Sequence, residues 1–230
     1  MKDIFKGKQF KKDIIMTAIS YYYRFPLSYR NISEILNQRG ILVHASTIMR
    51  WVHQYGDVLY NKWKKQNKMR IKSWRLDETY IKIKGVWHYL YRAIDKQGFT
   101  LDILLRKNRD TYSAKLFLKN LLDSYGEPRT IVTDKAPSLK KAIEVLKEIG
   151  ELKDTNHLRI KYMNNIIEQD HRRVKQQFLN SQSYKSISKA TSTIKGIEVI
   201  HALYKEKRNE NIHSVFSAYE AIKNLLLKTA

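Results

Sequence analysis

The stretch Leu76-Asp77-Glu78-Thr79-Tyr80-Ile81-Lys82-Ile83-Lys84-Gly85 decides the fold, because its side chains alternate between two environments. Odd-numbered positions from Asp77 to Ile83 share one face, and even-numbered positions from Glu78 to Lys84 share the other. This period of two predicts a half-buried strand, and Gly85 predicts a turn after it.

Downstream of this strand, turn and cap residues divide the chain into further elements. The predicted elements are strands over Trp87 to Ile94 and Phe99 to Leu105, a helix from Asp110 or Thr111 to Tyr125, a strand over Thr130 to Thr133, a helix from Pro137 to Gly150, a strand over His157 to Tyr162, and a helix from near Asn165. This order predicts an α/β fold with a mixed sheet and helices on its faces.

Upstream, residues 10 to 56 have the pattern of three short helices. Ser28 caps the second helix, Gly40 ends it, and the third begins at Ala45 or Ser46. The last two helices fit a helix-turn-helix laid in the major groove, and a small helical bundle with a packing role is the alternative. The residues expected to face DNA are Ser46, Thr47, Arg50, His53 and Gln54.

A basic segment follows the third helix, and its cations are able to contact phosphates or to form a solvated linker. These cations are Lys62, Lys64, Lys65, Lys68 and Arg70. The whole chain has 44 Lys plus Arg against 22 Asp plus Glu, a formal charge of +22. Such a charge favours a polyanionic partner, and nucleic acid is the leading one.

Other features narrow the class of protein. The longest apolar runs fall far below the roughly 18 residues that a membrane-spanning helix needs, so we expect no membrane partner. No export signal is seen, which predicts a cytoplasmic protein associated with the nucleoid or a plasmid. The chain has no cysteine, so a catalytic metal must rest mainly on oxygen ligands.

Three carboxylates are candidates for such ligands: Asp77 in the decisive strand, Asp134 after the fourth strand, and Glu168 in the first turn of the helix near Asn165. Mg²⁺ prefers carboxylate oxygens together with substrate phosphates, and two such ions suit in-line displacement at phosphorus. Each acid alone has a simpler explanation, as an exposed strand residue, a turn residue or a surface ion pair. The three together favour a metal site.

The motifs around these acids resemble those of bacterial insertion-sequence transposases of the replicative, IS-six type. Residues 76 to 95 resemble their first catalytic block, residues 133 to 137 the second, and residues 164 to 175 the third. Glu168 follows Asp134 by 34 positions, and Lys175 follows Glu168 by seven, as in that family. The resemblance implies a ribonuclease-H-like, retroviral-integrase-like core in which Asp77, Asp134 and Glu168 hold two Mg²⁺ ions, with Mn²⁺ able to substitute.

The resemblance also implies a function and partners. Such a transposase binds the terminal inverted repeats of its element in double-stranded DNA, exposes a 3′ hydroxyl and transfers it into target DNA, with cointegrates as products. Pairing of two ends implies a homodimer or larger synaptic assembly. The third block implies DNA contacts from His171, Arg172 and Lys175, whereas Glu78 is excluded as a metal ligand because strand alternation points it away from Asp77.

The expected domains are a helix-turn-helix domain over residues 1–60, a basic linker over 61–72, the catalytic core over 73–182, and C-terminal helices over 183–230 that serve packing or oligomerisation. Three rival functions stay open on the residues alone. They are a non-catalytic DNA-binding regulator, a ribonuclease-H-like nuclease that cuts without joining, and a tyrosine recombinase.

Overall fold

The computed structural model describes residues 4–66, 71–160, 167, 175, 184–209 and 222–225. Two compact units divide the described elements, one built from α1, α2, α3 and α6, the other from the five strands with α4 and α5. The elements are α1 (Lys12–Arg24), α2 (Tyr29–Asn37), α3 (Ala45–Gln66), β1 (Ser73–Ile83), β2 (Val86–Ile94), β3 (Thr100–Arg106), α4 (Thr111–Tyr125), β4 (Thr130–Thr133), α5 (Pro137–Glu148), β5 (Asn156–Arg159) and α6 (Ile187–Asn209).

The strands form one five-stranded sheet in the order β3-β2-β1-β4-β5. β1 pairs antiparallel with β2, and β2 pairs antiparallel with β3. β4 lies parallel to β1 on one side and to β5 on the other. An antiparallel three-stranded meander extended by two parallel strands is the ribonuclease-H-like topology, so the predicted fold class is confirmed.

The first hairpin is formed as its sequence predicts. Lys84 and Gly85 both have positive φ, 48° and 80°, which is the backbone of a tight two-residue hairpin turn. Along β1, Thr79, Ile81 and Ile83 are buried while Tyr80 and Lys82 are exposed. The prediction of a half-buried strand is therefore confirmed over this part of β1.

The first part of β1 is covered on its other face by helices. Trp74 and Leu76 are fully buried in the core of this unit. The same core contains Phe117 and Leu121 of α4 and Leu139 and Ile143 of α5. Because Trp74 and Leu76 point toward these helices, the alternating residues Arg75 and Asp77 lie on the opposite face of the sheet.

The helical unit begins with three helices near their predicted positions. Ser28 accepts a hydrogen bond from the Asn31 backbone N–H, and the Asn31 side chain accepts one from Ser28, which forms a reciprocal N-terminal cap on α2. Gly40, with φ of 75°, ends that helix in the left-handed conformation. The turn leads to His44, whose Nδ1 lies 3.2 Å from the Ser46 backbone nitrogen at the start of α3.

The third helix is longer than predicted, since α3 continues to Gln66 and includes Lys62, Lys64 and Lys65 of the supposed linker. Its apolar stripe continues past Gly56 through Leu59, Tyr60 and Trp63, all of which are buried. Burial of these apolar side chains thus stabilises the helical conformation of the charged segment. Lys68 and Arg70 lie outside the described residues.

The C-terminal helix α6 packs within the same unit as α1 and α3, not as a separate domain. Ser192 Oγ donates a hydrogen bond to the His53 carbonyl at 2.7 Å, and Lys195 forms an ion pair with Asp57 at 2.8 Å. α6 thus contacts α3 through these side chains, whereas residues 210–221 and 226–230 lie outside the described part. None of the described helices is both long and apolar enough to cross a membrane.

Candidate active site

Asp77 lies in β1, and Asp134 directly follows the neighbouring parallel strand β4. The paired residues of β1 and β4 are Ser73 with Thr130, Trp74 with Ile131, and Arg75 with Val132, a constant offset of 57 positions. Asp134 follows Asp77 by 57 positions as well (134 minus 77), so the register continued by two residues matches them. Residues in parallel register share a face, and neighbouring strands lie about 4.8 Å apart.

The backbone after β4 holds Asp134 in a defined turn. Its Oδ1 accepts a hydrogen bond from the Ala136 backbone N–H at 2.8 Å. Ala136 is the N-cap of α5, and Pro137 occupies the first helical position, where its missing N–H costs nothing. One carboxylate oxygen therefore fixes the turn, and both Asp77 and Asp134 remain partly accessible to solvent.

Glu78, the neighbour of Asp77, points into a polar network on the helix-covered face of the sheet. Its carboxylate forms an ion pair with Arg109 in the loop before α4. The Ser138 hydroxyl, in the first turn of α5, donates a hydrogen bond to Glu78 Oε1 at 2.8 Å. The Glu78 side chain is only 4% exposed.

The charge of Asp134 reaches this network. Burial raises the pKa of Glu78 above its usual value, the Ser138 hydrogen bond and Arg109 oppose that change, and Asp134 adds to it. Desolvation lowers the pKa of Arg109, but Glu78, Tyr80 and Asp134 outweigh it and raise that pKa. Arg109 is thus a cation that interacts electrostatically with Asp134, one of the predicted metal ligands.

Two carboxylates at matching positions of neighbouring strands suit a divalent cation, because Mg²⁺ prefers carboxylate oxygens as ligands. Asp77 and Asp134 therefore fit the predicted metal site. Glu168, the third predicted ligand, lies outside the described residues. Among the residues that the structure does describe, no group of three or more Asp, Glu or His forms a metal cluster.

The predicted DNA-reading residues of α3 differ in their surroundings. Ser46, Arg50 and Gln54 are exposed, and Thr47 and His53 are half-buried. The Arg50 guanidinium donates to Thr47 Oγ1 at 3.2 Å, so the two side chains form one polar group at the helix start. Gln54 accepts a hydrogen bond from Lys8 at 3.1 Å.

His53 is held more tightly than its neighbours on α3. Its ring lies edge-on against Tyr29, with centroids 6.4 Å apart. Burial, with a contribution from Lys189, lowers the pKa of His53, so the ring is neutral near pH 7. Lys175 of the third block is exposed, while His171 and Arg172 lie outside the described residues.

A second histidine contacts β4, the strand that directly precedes Asp134. His157 of β5 lies beside β4, and its Nε2 is 2.9 Å from the Thr133 hydroxyl. Burial, followed by the charges of Arg159 and Lys147, lowers the pKa of His157 to about 4. The ring is therefore neutral in the folded protein at pH 7.

This shift predicts how stability depends on pH. The unfolded chain binds a proton at His157 with a pKa near 6.5, whereas the folded chain binds it only near 4. The contribution of His157 to stability is therefore complete above about pH 6.5 and is lost as the pH falls toward 4. We expect the free energy of unfolding, measured by urea denaturation, to fall less steeply over this range in His157→Gln than in the wild type. Equal slopes for the two proteins would contradict this assignment.

Several residues of this region were not singled out from the sequence. Arg109, Ser138 and His157 are separated along the chain from the residues they contact, and no local pattern marks them. No local signal marks the burial of Glu78 either, because strand alternation places it on the same face as Tyr80 and Lys82, which are exposed.

Comparison with known proteins identifies relatives along most of the chain. A family model described as a DDE domain, of the DDE_Tnp_IS240 type, matches residues 71–207. The transposase for insertion sequence-like element IS431mec of Staphylococcus aureus strain Mu50 is 53% identical over 204 residues, 89% of this chain and 90% of the relative. The transposase for insertion sequence element IS257 in transposon Tn4003 of Staphylococcus aureus matches with the same identity and coverage.

A solved structure with a similar fold is the catalytic core domain of BIV integrase. It is 14% identical, has a TM-score of 0.42, and covers 66% of this chain and 94% of that chain. Because this similarity is low, the fold is assigned from the strand topology described above.

Proposed function

Because this chain belongs to the DDE transposases of the IS-six family of insertion sequences, we propose that it binds the terminal inverted repeats of its element and joins their 3′ ends to target DNA. The reaction class, polynucleotidyl transfer by an insertion-sequence transposase, is that of the family. In this proposal the protein nicks the 3′ ends of the element and transfers them to target DNA. Transposition is replicative and gives cointegrates, and a dimer or larger assembly pairs the two ends.

One observation supports the proposed chemistry above the others. The β1–β4 register ends at Arg75 and Val132, and continuing it by two residues matches Asp77 with Asp134, which directly follows the carboxyl end of β4. Ligands of open α/β sheets gather at the carboxyl ends of parallel strands, near the position where the strand order reverses. In this sheet, β1 lies at that position, between the antiparallel β2 and the parallel β4.

In the proposed site, Asp77, Asp134 and Glu168 hold two divalent cations, Mg²⁺ or Mn²⁺. Bound there, such ions supply activation of the attacking oxygen and stabilisation of the leaving oxygen in displacement at phosphorus. The chain's own residues orient the site: the Ala136 N–H fixes one oxygen of Asp134, and β1 fixes Asp77. Water or a 3′ hydroxyl serves as nucleophile, so a covalent protein nucleophile has no role.

The strand-transfer proposal is tested with a duplex that carries a precut inverted-repeat end and a supercoiled target plasmid. With Mg²⁺, we expect products in which the end is covalently joined to the plasmid. A duplex ending in a 3′-dideoxynucleotide is the matched control and should give none. Cleavage without joining would favour the nuclease alternative, end binding without either reaction would favour the regulator, and a covalent protein–DNA species would favour a tyrosine recombinase.

We also propose that α3 reads the element end through Ser46, Thr47, Arg50, His53 and Gln54. Lys62, Lys64, Lys65, Lys68 and Arg70 would contact phosphates, with His171, Arg172 and Lys175 on the catalytic side. The exposure of Ser46, Arg50 and Gln54 near the N-terminus of α3 supports this assignment, since a recognition helix contacts bases through its N-terminal residues. The half-buried, neutral His53 is the weakest member of the set.

Arg50 gives this proposal its sharpest test. An arginine that contacts a base edge contributes about 1–3 kcal/mol to specific binding. We therefore expect Arg50→Ala to weaken binding of the inverted-repeat duplex roughly 10- to 100-fold in a gel-shift or anisotropy titration, while binding to a scrambled duplex changes far less. Lys153→Ala, which removes one exposed cation from the other unit, is the control. An equal loss on both duplexes would argue against base reading by Arg50.

A further inference from the structure

Arg109 is held by two residues of β1. Its Nε donates to the Glu78 carboxylate, and its Nη1 donates to the Tyr80 hydroxyl at 3.2 Å. Glu78 is almost fully buried, whereas 34% of the Arg109 side chain is exposed. Two nitrogens of the guanidinium are therefore held by the protein while part of the group reaches solvent.

The remaining donors of Arg109 suit an anion. A guanidinium carries five N–H donors in a rigid planar fork that matches phosphate oxygens. Within residues 71–160, which contain the whole network, no partner of Nη2 is found. Fixing the fork at Nε and Nη1 also removes much of the side-chain entropy that binding would otherwise cost.

The position of Arg109 links it to the active site. Arg109 immediately precedes Asp110, the N-cap of α4 whose carboxylate accepts the Ser113 backbone N–H, so its loop is fixed at the helix start. Strand alternation places Glu78 on the face opposite Asp77, but Ser138, in the first turn of α5, donates to Glu78, and the Asp134–Ala136 contact lies directly before that turn. Arg109 also interacts electrostatically with Asp134.

We propose that Arg109 binds a DNA phosphate near Asp134, and that Glu78 and Tyr80 hold its guanidinium in place for this contact. The inference rests on the proposed function, because it takes DNA as the substrate. Arg109 is a binding residue and Glu78 a positioning residue that acts through it. The competing role, neutralisation of a buried carboxylate and nothing more, predicts no direct effect on DNA.

The experiment measures DNA binding apart from chemistry, with the full chain, a labelled precut-end duplex and Ca²⁺ in place of Mg²⁺. The variants are Arg109→Ala, Glu78→Gln, and both together, since the double variant leaves a neutral amide buried instead of an unpaired charge. Lys96→Ala, in the turn after β2 at the other end of the sheet, removes one exposed cation as the control. Thermal unfolding establishes that each protein is folded.

Three results are expected. Arg109→Ala reduces the slope of log affinity against log salt by about 1 relative to Lys96→Ala. Single phosphates of the duplex are also replaced by neutral methylphosphonates. At one position near the precut end, this replacement weakens binding by the wild type roughly tenfold or more but does not change binding by Arg109→Ala. Glu78→Gln weakens binding in the wild-type background but adds nothing to Arg109→Ala, as expected for residues that act as one unit.

The inference is overturned if folded Arg109→Ala, or the folded double variant when the single one unfolds, shows the wild-type response to every methylphosphonate. This outcome is separate from failure of the proposed function. A wild type that binds ends but joins none would refute strand transfer, while the methylphosphonate comparison would still decide whether Arg109 contacts a phosphate.

Discussion

Asp134→Asn is expected to reduce joining of a precut end to target DNA at least about 1000-fold while leaving end binding largely intact. Loss of several kcal/mol of charge stabilisation at a metal site corresponds to a rate loss of this size. The change is local, because an asparagine Oδ1 still accepts the Ala136 N–H that fixes the turn before α5. The rate of plasmid joining, normalised to the fraction of bound end, is the measurement.

Asp77→Asn should have the same effect, since the β1–β4 register, continued by two residues, matches Asp77 with Asp134. Glu168→Gln extends the same proposal to the third block. Asp154→Asn, an exposed aspartate in the same unit, is the control and should retain the wild-type rate. A wild-type rate of joining in either Asp77→Asn or Asp134→Asn would refute the assignment of these acids as metal ligands.

Gly56→Ala is expected to destabilise the helical unit strongly. A Cβ atom at Gly56 would lie 1.9 Å from the carbonyl oxygen and 2.7 Å from the carbonyl carbon of Ser192 in α6. These are backbone atoms, so α3 and α6 would have to separate. Alanine in the middle of a helix otherwise stabilises it by about 0.5–1 kcal/mol relative to glycine, so the sign of the change is diagnostic.

We expect Gly56→Ala to lower the free energy of unfolding by about 3 kcal/mol or more, the upper part of the range for overpacked cores. Gly196→Ala should act similarly, because its Cβ would lie 2.2–2.7 Å from the ring of Tyr23, whose hydroxyl is hydrogen-bonded to the Val52 carbonyl at 2.6 Å. Asn61→Ala, an exposed change on α3, should stay within about 0.5 kcal/mol of the wild type. Unchanged or increased stability of Gly56→Ala in chemical denaturation would contradict this close helix crossing.

Much of the fold could be predicted from local sequence, because its signals are local. Alternation along β1, the Lys84-Gly85 turn, the Ser28 cap and Pro137 at the start of α5 each act within a few residues, and the structure has all of them. The parallel pairing of β1 with β4 is not local. The order of the elements predicts only a mixed sheet; the ribonuclease-H-like core that the family resemblance implies has this pairing, and the structure shows it.

The differences from the sequence analysis have a common physical origin in tertiary packing. Gly56 has the appearance of a helix end, yet it is the point where α3 approaches α6, and Leu59, Tyr60 and Trp63 continue the buried stripe beyond it. The basic segment likewise resembles a linker in sequence, but its apolar neighbours Tyr60 and Trp63 are buried in the core, so the segment is helical. The Glu78–Arg109 pair joins residues 31 positions apart, a distance over which no periodicity operates.

The location of the bound metal is the most direct test of the proposed metal site. With Fe²⁺ in place of Mg²⁺, hydroxyl radicals generated at the ion cut the polypeptide next to its ligands. We predict cuts close to Asp77, Asp134 and Glu168, suppressed by excess Mg²⁺ and lost in Asp134→Asn. Cuts confined to other parts of the chain, or an unchanged pattern in Asp134→Asn, would contradict the proposal that these carboxylates form one metal site.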